Sequence, residues 1–534
     1  MSLEVFDMAP RQYATLVASL GLFVSYSIAS HAFYVGKNLT SDGSVMVGGT
    51  GEEVSSHWLQ IFPAKDHAAN ATITVGVTED AVQPGLLIAI PQVPHTFRYL
   101  SMEYSDFEGF PAPLTNGGVN EKGVAVRDVW AANRDELYNM TPNPQLGLQY
   151  SDLARVVLER ATTAREGVEI MGDMIAKYGY ADYGGNSHLI ADADEGWVVW
   201  EFAGGEKLWA AERLESNEVR VFYPGYIEDF PISWTGNPDY MGSSNLVSFA
   251  VEQGWFHPEN ETFNIFKIYG VQGPDYTARN GGFKYMSQAQ LEDATLAMVP
   301  VTEEDLIKRV RDPRISDDEA GYGQVLSLHP NMDPDMIRIW VAPTGSVTAP
   351  YVPWWLGAQD NAVPPEFGEH RYLTKDAAST FLNPDYQLQE ASLFAGRLFK
   401  RVLYYTCSNP DAFLPTVTTM IAGFENQSRS DLGWVEKSAQ TLISAGQRET
   451  ARELLAFYSQ TRAGKAMDMG KAMVDGLDSY IKLANQWKAP VGSKINDANE
   501  GAETVNCLVG INPDQPPNKQ QGVVKRRSRT RTEL

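Results

Sequence analysis

Ala29-Ser-His-Ala-Phe-Tyr-Val-Gly-Lys-Asn-Leu-Thr-Ser-Asp-Gly-Ser44 reads as the first half of a β-hairpin. Ser30 to Gly36 is strand-like, and Thr40-Ser-Asp-Gly43 has Asp-Gly where a tight turn favours it. Ser44-Val-Met-Val47 then resumes extended structure. Strand segments continue to Gln92, and Gly118 to Val126 is a further turn-to-strand unit with Gly123 in the turn.

Upstream of this hairpin, residues 1–29 read as a secretory signal. Arg11 supplies positive charge and Tyr13 to Ile28 is a mostly apolar run of 16 residues. Ser27-Ile28-Ala29 places small residues at the −3 and −1 positions of a cleavage site. Cleavage after Ala29 makes Ser30 the first residue of the mature chain. Ser30-His31-Ala32 also satisfies the small-residue rule, and cleavage there would remove Ser30. The run is short for a transmembrane span, which needs about 20 apolar residues. Five sequons begin at Asn38, Asn70, Asn139, Asn260 and Asn426 and permit glycosylation of an exported chain. The last residues, Arg-Thr-Glu-Leu534, are a degenerate match to an ER-retention signal.

Downstream, Ser151 is expected to cap a helix with Leu153, Val156, Val157 and Leu158 at helical spacing. A second helix is expected from Arg165 to Lys177, stopping at Gly179. Strands are expected at Ser187–Ala193, Gly196–Phe202 and Leu208–Arg213, and Gly321 to Gly357 is β-rich. The pattern is helical from Asp376 to about Trp487, and an irregular tail follows. Strands, a helix pair, strands again and helices last make an α+β order. The expected division is a signal at 1–29, a core at 30–375, a helical part of the same unit at 376–487 and a tail with a basic end at 488–534.

Composition narrows the function classes. The chain has 534 residues, 43% of them apolar and 21% charged, which excludes a mostly disordered chain and a multi-span membrane protein. A net charge of −24 repels phosphate backbones and anionic headgroups, so no nucleic-acid or membrane partner is expected of the mature body. Two cysteines, Cys407 and Cys507, form at most one bridge, tying the C-terminal segment to the helical region.

The chemistry is narrowed by elimination. Eight scattered His residues include no H-E-x-x-H, so no metal is expected. No G-x-S-x-G elbow, dinucleotide fingerprint or Walker loop is present, and no cofactor is expected. The remaining nucleophile is the new N-terminus. A terminal α-amine titrates at about 7.7–8.0, so it can accept the proton of a hydroxyl on its own residue. Such a site needs no His, but it needs N–H donors for the oxyanion.

Ala29 to Ser44 resembles the amino-terminal motif of the dipeptidase family of N-terminal-nucleophile hydrolases, whose fold relatives include choloylglycine hydrolases and penicillin V acylase. The resemblance continues in order through Ile90-Pro-Gln-Val93, Asn120-Glu-Lys-Gly123, Leu189-Ile-Ala-Asp192, Glu195 to Glu201, Trp209 to Arg213, Asn245 to Ala250, Gly254-Trp255 and Tyr351-Val-Pro353. It implies a four-layer αββα sandwich of the N-terminal-nucleophile hydrolase type with a helical C-terminal region. It also implies hydrolysis of dipeptides or small peptides through an acyl-enzyme, without cofactor or metal.

Carried over by position, Ser30 would be the nucleophile, Asn120 an oxyanion donor and Glu52 the acid that holds the amine. The sequence departs from the family at three places. Ser30 stands where the family has Cys, Gly49 where many relatives have Arg, and Pro224 near an expected Asn. Two other readings stay open: a silent member acting as a binding or structural glycoprotein, and an acylase of non-peptide amides. Trp197, Trp200 and Trp209 read as core, and Arg213 and His31 as structural.

Overall fold

The hairpin is present. β1 (His31–Val35) and β2 (Val45–Glu52) pair antiparallel, with His31 opposite Thr50 and Val35 opposite Met46. Asp42 closes the turn by accepting the Ser44 N–H at 3.1 Å, and Gly43 occupies φ 75°, a conformation a side chain disfavours. The computed structural model describes residues 30–52, 57–106, 109–112, 114–259, 261–273, 286–317, 319–370, 394–484 and Cys507. The expected signal, the sequon at Asn260 and the basic tail with its Arg-Thr-Glu-Leu end lie outside the described residues.

The next strands are β3 (His57–Phe62), β4 (Lys65–Asp66), β5 (Thr72–Val75), β6 (Ile88–Pro91) and β7 (His95–Thr96). They are followed by β8 (Tyr99–Tyr104), β9 (Leu114–Asn120), β10 (Ala125–Trp130), β11 (Asn186–Ala191), β12 (Gly196–Glu201) and β13 (Trp209–Leu214). Last come β14 (Val219–Phe222), β15 (Tyr240–Gly242), β16 (Ala320–Leu328), β17 (Arg338–Ala342) and β18 (Val352–Trp355). One sheet runs β14-β1-β2-β16-β17-β18 and a second runs β15-β13-β12-β11-β10-β9-β8-β3. β4 with β7 and β5 with β6 form two small ribbons.

Strand alternation builds the layers. On β11 and β12, Leu189, Val198 and Trp200 face the first sheet in a shared core, whereas Ile190, Trp197 and Val199 face away. The outward set is covered by helices Tyr150–Arg160 and Ala164–Tyr178, which supply Leu153, Val157, Val168 and Met171. The outer face of the first sheet is covered by helices Gln288–Leu296 and Glu303–Val310 and by the C-terminal helices. The layers therefore run helix, sheet, sheet, helix, and the α+β four-layer expectation holds.

Several local expectations need correction. The helix expected after Ser151 begins two residues early, at Tyr150. Gln149 caps it in a reciprocal box with Asp152, whereas the Ser151 hydroxyl accepts the Thr115 N–H. Between 246 and 310 four helices stand where the sequence reading assigned none: Leu246–Glu252, Ile265–Tyr269, Gln288–Leu296 and Glu303–Val310. They have nine residues or fewer, too short for an apolar period to repeat more than twice.

The C-terminal helices span Ala395–Ser408, Pro410–Ser444 and Arg448–Ala484. Glu425 pins the second of them to the first sheet, because its carboxylate takes the Arg311 guanidinium at 3.0 Å and the Tyr351 N–H at 2.8 Å. Arg448 and Arg452 do the same on Asp333 and Asp335. Cys407 and Cys507 form a disulfide that closes a sequence separation of 100 residues.

Candidate active site

Ser30 sits at the start of β1, a strand flanked on both sides by β14 and β2. It is partly exposed, and its Oγ accepts the backbone N–H of Glu52 at 3.1 Å. Antiparallel pairing of β1 with β2 brings the residue just before one strand to the last residue of the other, so Ser30 and Glu52 meet although 22 positions apart. The Glu52 carboxyl is partly buried, and its charge helps raise the Tyr183 phenol, whose main cause is burial.

Immediately inward, His31 and Thr50 face each other in register, with His31 Nδ1 3.2 Å from Thr50 Oγ1. The His31 ring stacks on Tyr223 at 4.0 Å and is 1% exposed, so it is a packed strand residue. Gly49 has φ 150°, and a Cβ there would lie 1.9 Å from the His31 carbonyl oxygen. No side chain reaches Ser30 from that position. Pro224 follows Tyr223 at the end of β14 and offers no N–H.

The second sheet meets the first beside Gly51, against Asn116 and Tyr322. Tyr322 on β16 donates its hydroxyl to Asn116 Oδ1 at 2.6 Å, and Asn116 donates its amide to Asp128 at 2.5 Å. Burial holds the Asp128 carboxyl above the usual range, and the charges of His188 and Arg127 oppose that. His188 is wholly buried, with Nδ1 2.8 Å from Glu201 and Nε2 3.1 Å from the Tyr150 carbonyl. Burial opposes charge on His188, the Glu201 charge outweighs it and raises the imidazole pKa, and burial raises the Glu201 carboxyl as well. Arg127, 1% exposed, reaches across from β10 to Thr50 O at 2.8 Å, His31 O at 3.4 Å and Gln324 Oε1 at 2.6 Å.

Asn120 is not part of this constellation. It is the last residue of β9, opposite Tyr99, four positions or roughly 13 Å along the strand from Asn116. Its amide donates to the carbonyls of Leu158 at 3.0 Å and Ala161 at 2.8 Å. Its Oδ1 accepts from the N–H groups of Lys122 and Val124, both at 3.0 Å. Every hydrogen-bonding capacity of the side chain is used in closing the β9–β10 turn and capping the end of helix Tyr150–Arg160. The expected oxyanion donor is a structural clamp.

Sequence reading brought together Ser30 and Glu52 and missed Arg127, Asn116, Asp128 and Tyr322. A signal existed for two of these. Arg127-Asp128 interrupts an otherwise apolar strand, Val124-Ala-Val-Arg-Asp-Val-Trp130, and charge inside such a strand needs a reason. Among the described residues no group of three His, Cys, Asp or Glu side chains is arranged to hold a metal ion. Trp197 and Trp200 are wholly buried, and Arg213 pairs with Asp239 at 2.6 Å, as expected of structural residues.

The sequence model of peptidase family C69 matches residues 29–310, more than half of the chain. The chain belongs to peptidase family C69. Within the family, a probable dipeptidase B of Streptococcus pyogenes serotype M6 is 29% identical over 253 residues, 46% of this chain and 47% of the relative. A probable dipeptidase of Latilactobacillus sakei is 28% identical over 251 residues, 46% of this chain and 49% of the relative. This C69 chain thus spans about half the length of the curated relatives it matches. Among solved structures, penicillin V acylase from Agrobacterium tumefaciens aligns at 13% identity and a TM-score of 0.32, over 64% of this chain and 89% of that one. The family match begins one residue before Ser30 and contains Ser30, Glu52, Asn116 and Arg127. Among the described residues, no helix of this C69 protein is long and apolar enough to cross a membrane.

Proposed function

We propose that this C69 member is an exported amidohydrolase that cleaves dipeptides or other small peptides through an acyl-enzyme on Ser30. The observation that carries the reading is the position of Ser30. It begins an internal strand, stays partly open, and holds its Oγ 3.1 Å from a backbone N–H. In a chain that begins at Ser30, the α-amine accepts the hydroxyl proton as Oγ attacks the peptide carbonyl. The tetrahedral intermediate collapses to an ester on Oγ and expels the amine product, which takes the proton. Water, deprotonated by the same amine, then attacks the ester, and Oγ leaves with that proton as the acyl product is released as a carboxylic acid. Glu52 stabilises the ammonium formed at each attack until its proton is passed on, and its N–H favours negative charge on Oγ.

Export is supported by the bridged cysteines, because disulfides persist in oxidising compartments. The sequon asparagines Asn38, Asn70, Asn139 and Asn426 are all exposed, which permits glycosylation of the folded surface. The names of the relatives, probable dipeptidases, support the substrate class.

The test is a dipeptide panel with free amino acid release, run on the parent, Ser30→Ala and Ser30→Cys, each with a verified N-terminus. The parent and Ser30→Cys are expected to turn over peptide and Ser30→Ala to be inactive. A thiolate is the stronger nucleophile near neutral pH, so Ser30→Cys should at least match the parent. Failure of both parent and Ser30→Cys on peptides and acyl amides would leave a silent, ligand-binding member.

A further inference from the structure

Arg127 is a buried cation that makes no close ion pair among the described residues, although its charge acts on the neighbouring Asp128. An arginine that is 1% exposed normally sits against a carboxylate, because an isolated charge is costly in a low-dielectric interior. Here its partners are neutral: the carbonyls of Thr50 and His31, the Gln324 side-chain amide oxygen, and the face of the Tyr322 ring 5.0 Å away. It makes no ion pair with any described carboxylate. Replacing such a group by apolar side chains often stabilises a protein, so stability alone is a poor reason for its presence.

Its placement is specific. His31 is the residue after Ser30, and Thr50 lies two before Glu52. The guanidinium therefore bonds the two facing residues just inside the two that form the candidate site. It arrives from the other sheet, past Gly117, whose φ is 117° and where a Cβ would crowd the Val126 carbonyl and the Arg127 stem. The bare backbone at Gly49 keeps β1 and β2 close at the same level.

We propose that Arg127 is a positioning residue for Ser30, locking the ends of β1 and β2 together and setting a fixed positive charge behind the Ser30 α-amine. The inference rests on the reading of Ser30 as an N-terminal nucleophile. The titratable groups on the elements packed around the ends of β1 and β2 are Glu52 on β2, Asp128 beside Arg127 on β10, Tyr322 on β16, and the stacked His31 and Tyr223. Of the two acids, burial raises Asp128 and weakens its hold, and Glu52, whose N–H meets Ser30 Oγ, is the one that would keep the amine protonated and useless as a base. The Arg127 charge offsets Glu52 and keeps the amine free near neutral pH.

The experiment uses the chain beginning at Ser30 and its Arg127→Gln and Arg127→Lys variants, with thermal melts to verify folding. The α-amine is titrated directly, by the pH dependence of its acetylation at Ser30 read by mass spectrometry. The pH profile of kcat/KM on a dipeptide is measured beside it. Arg127→Gln should raise the amine pKa by about one unit, a tenfold loss of kcat/KM below the acid limb. Arg127→Lys should restore the pKa while kcat stays low, because the fork across both strands is lost. An amine that titrates alike in the parent and Arg127→Gln overturns the proposal. If Arg127→Gln does not fold, Gln324→Met removes one anchor of the guanidinium. It should move the amine in the same direction by less, and no movement overturns the proposal equally. Direct titration also separates the two readings: a chain that hydrolyses nothing refutes the reaction, while the amine still reports on Arg127.

Discussion

The backbone N–H of Glu52 points at Ser30 Oγ from 3.1 Å, across the open end of the β1–β2 ladder. A donor there occupies a lone pair of the hydroxyl oxygen and leaves its proton free to move to a neighbouring base. In the proposed mechanism the base is the amine of the same residue, so extension of the chain by one residue should abolish activity. A form that retains Ala29 is expected to melt at the same temperature as the form beginning at Ser30 and to hydrolyse no dipeptide. For the active form, kcat/KM should fall as pH drops through the amine's pKa, because the protonated amine cannot accept a proton. A chain that keeps full activity with Ala29 attached would remove the amine from the mechanism.

Asn120 should matter for stability and not for turnover. Four buried backbone groups, the carbonyls of Leu158 and Ala161 and the N–H groups of Lys122 and Val124, depend on its side chain. Asn120→Ala strips all four, and buried groups left without partners cost about 1–3 kcal/mol each where water cannot replace the bond. A loss of roughly 2–4 kcal/mol by denaturant titration is expected, with kcat of the folded fraction unchanged. A fall in kcat of about 10²–10³ with stability intact would restore the oxyanion role.

Asn120 also shows where sequence reading stops. Its turn with Gly123 is local, and it was legible because turn residues act on their neighbours. Its decisive partners lie 38 and 41 positions away on a helix end, and nothing in the residues 120–123 announces them. The hairpin, the helix pair and the strands from 186 to 214 were legible for the same local reason, each carrying its own period and turn. Ser30 and Glu52 were legible through the family resemblance, which carried both over by position, and the hairpin register then brings them together. Arg127 was not, since its role arises only when β10 of one sheet faces β1 and β2 of the other.

Cys407 and Cys507 should both be oxidised in the protein as isolated. After unfolding without reductant, a thiol reagent is expected to label neither, and after reduction to label both. Both sulfurs are buried against Val347 and Leu403, so labelling of the folded protein would not discriminate. Two free thiols in the unfolded, unreduced chain would remove the bridge and one support for export.

The pH dependence of stability should be set by buried acids above pH 4.5, and Glu103 is the clearest of them. Its Oε1 accepts the Thr115 hydroxyl at 2.9 Å and that of Ser101, while Oε2 is buried without a partner. Burial pushes its carboxyl up to about 7, with the two hydroxyls opposing. Burial likewise raises Asp152 and Asp182 to about 7. An acid whose pKa is higher in the fold than in the unfolded chain binds its proton more tightly when folded. Its contribution to stability is therefore complete below the unfolded value, near 4.3, and is lost as pH rises towards about 7. Carboxylates such as Asp333, held below the usual range by Arg448, act in the opposite sense, but only at lower pH. The protein is thus expected to melt at a higher temperature at pH 5 than at pH 7.5. Glu103→Gln keeps the shape and the neutral state at every pH. It should match the parent near pH 4.5 and exceed it by roughly 1–3 kcal/mol at pH 7.5, flattening the slope by that amount. A variant that follows the parent's slope unchanged would show that Glu103 is not the group that titrates.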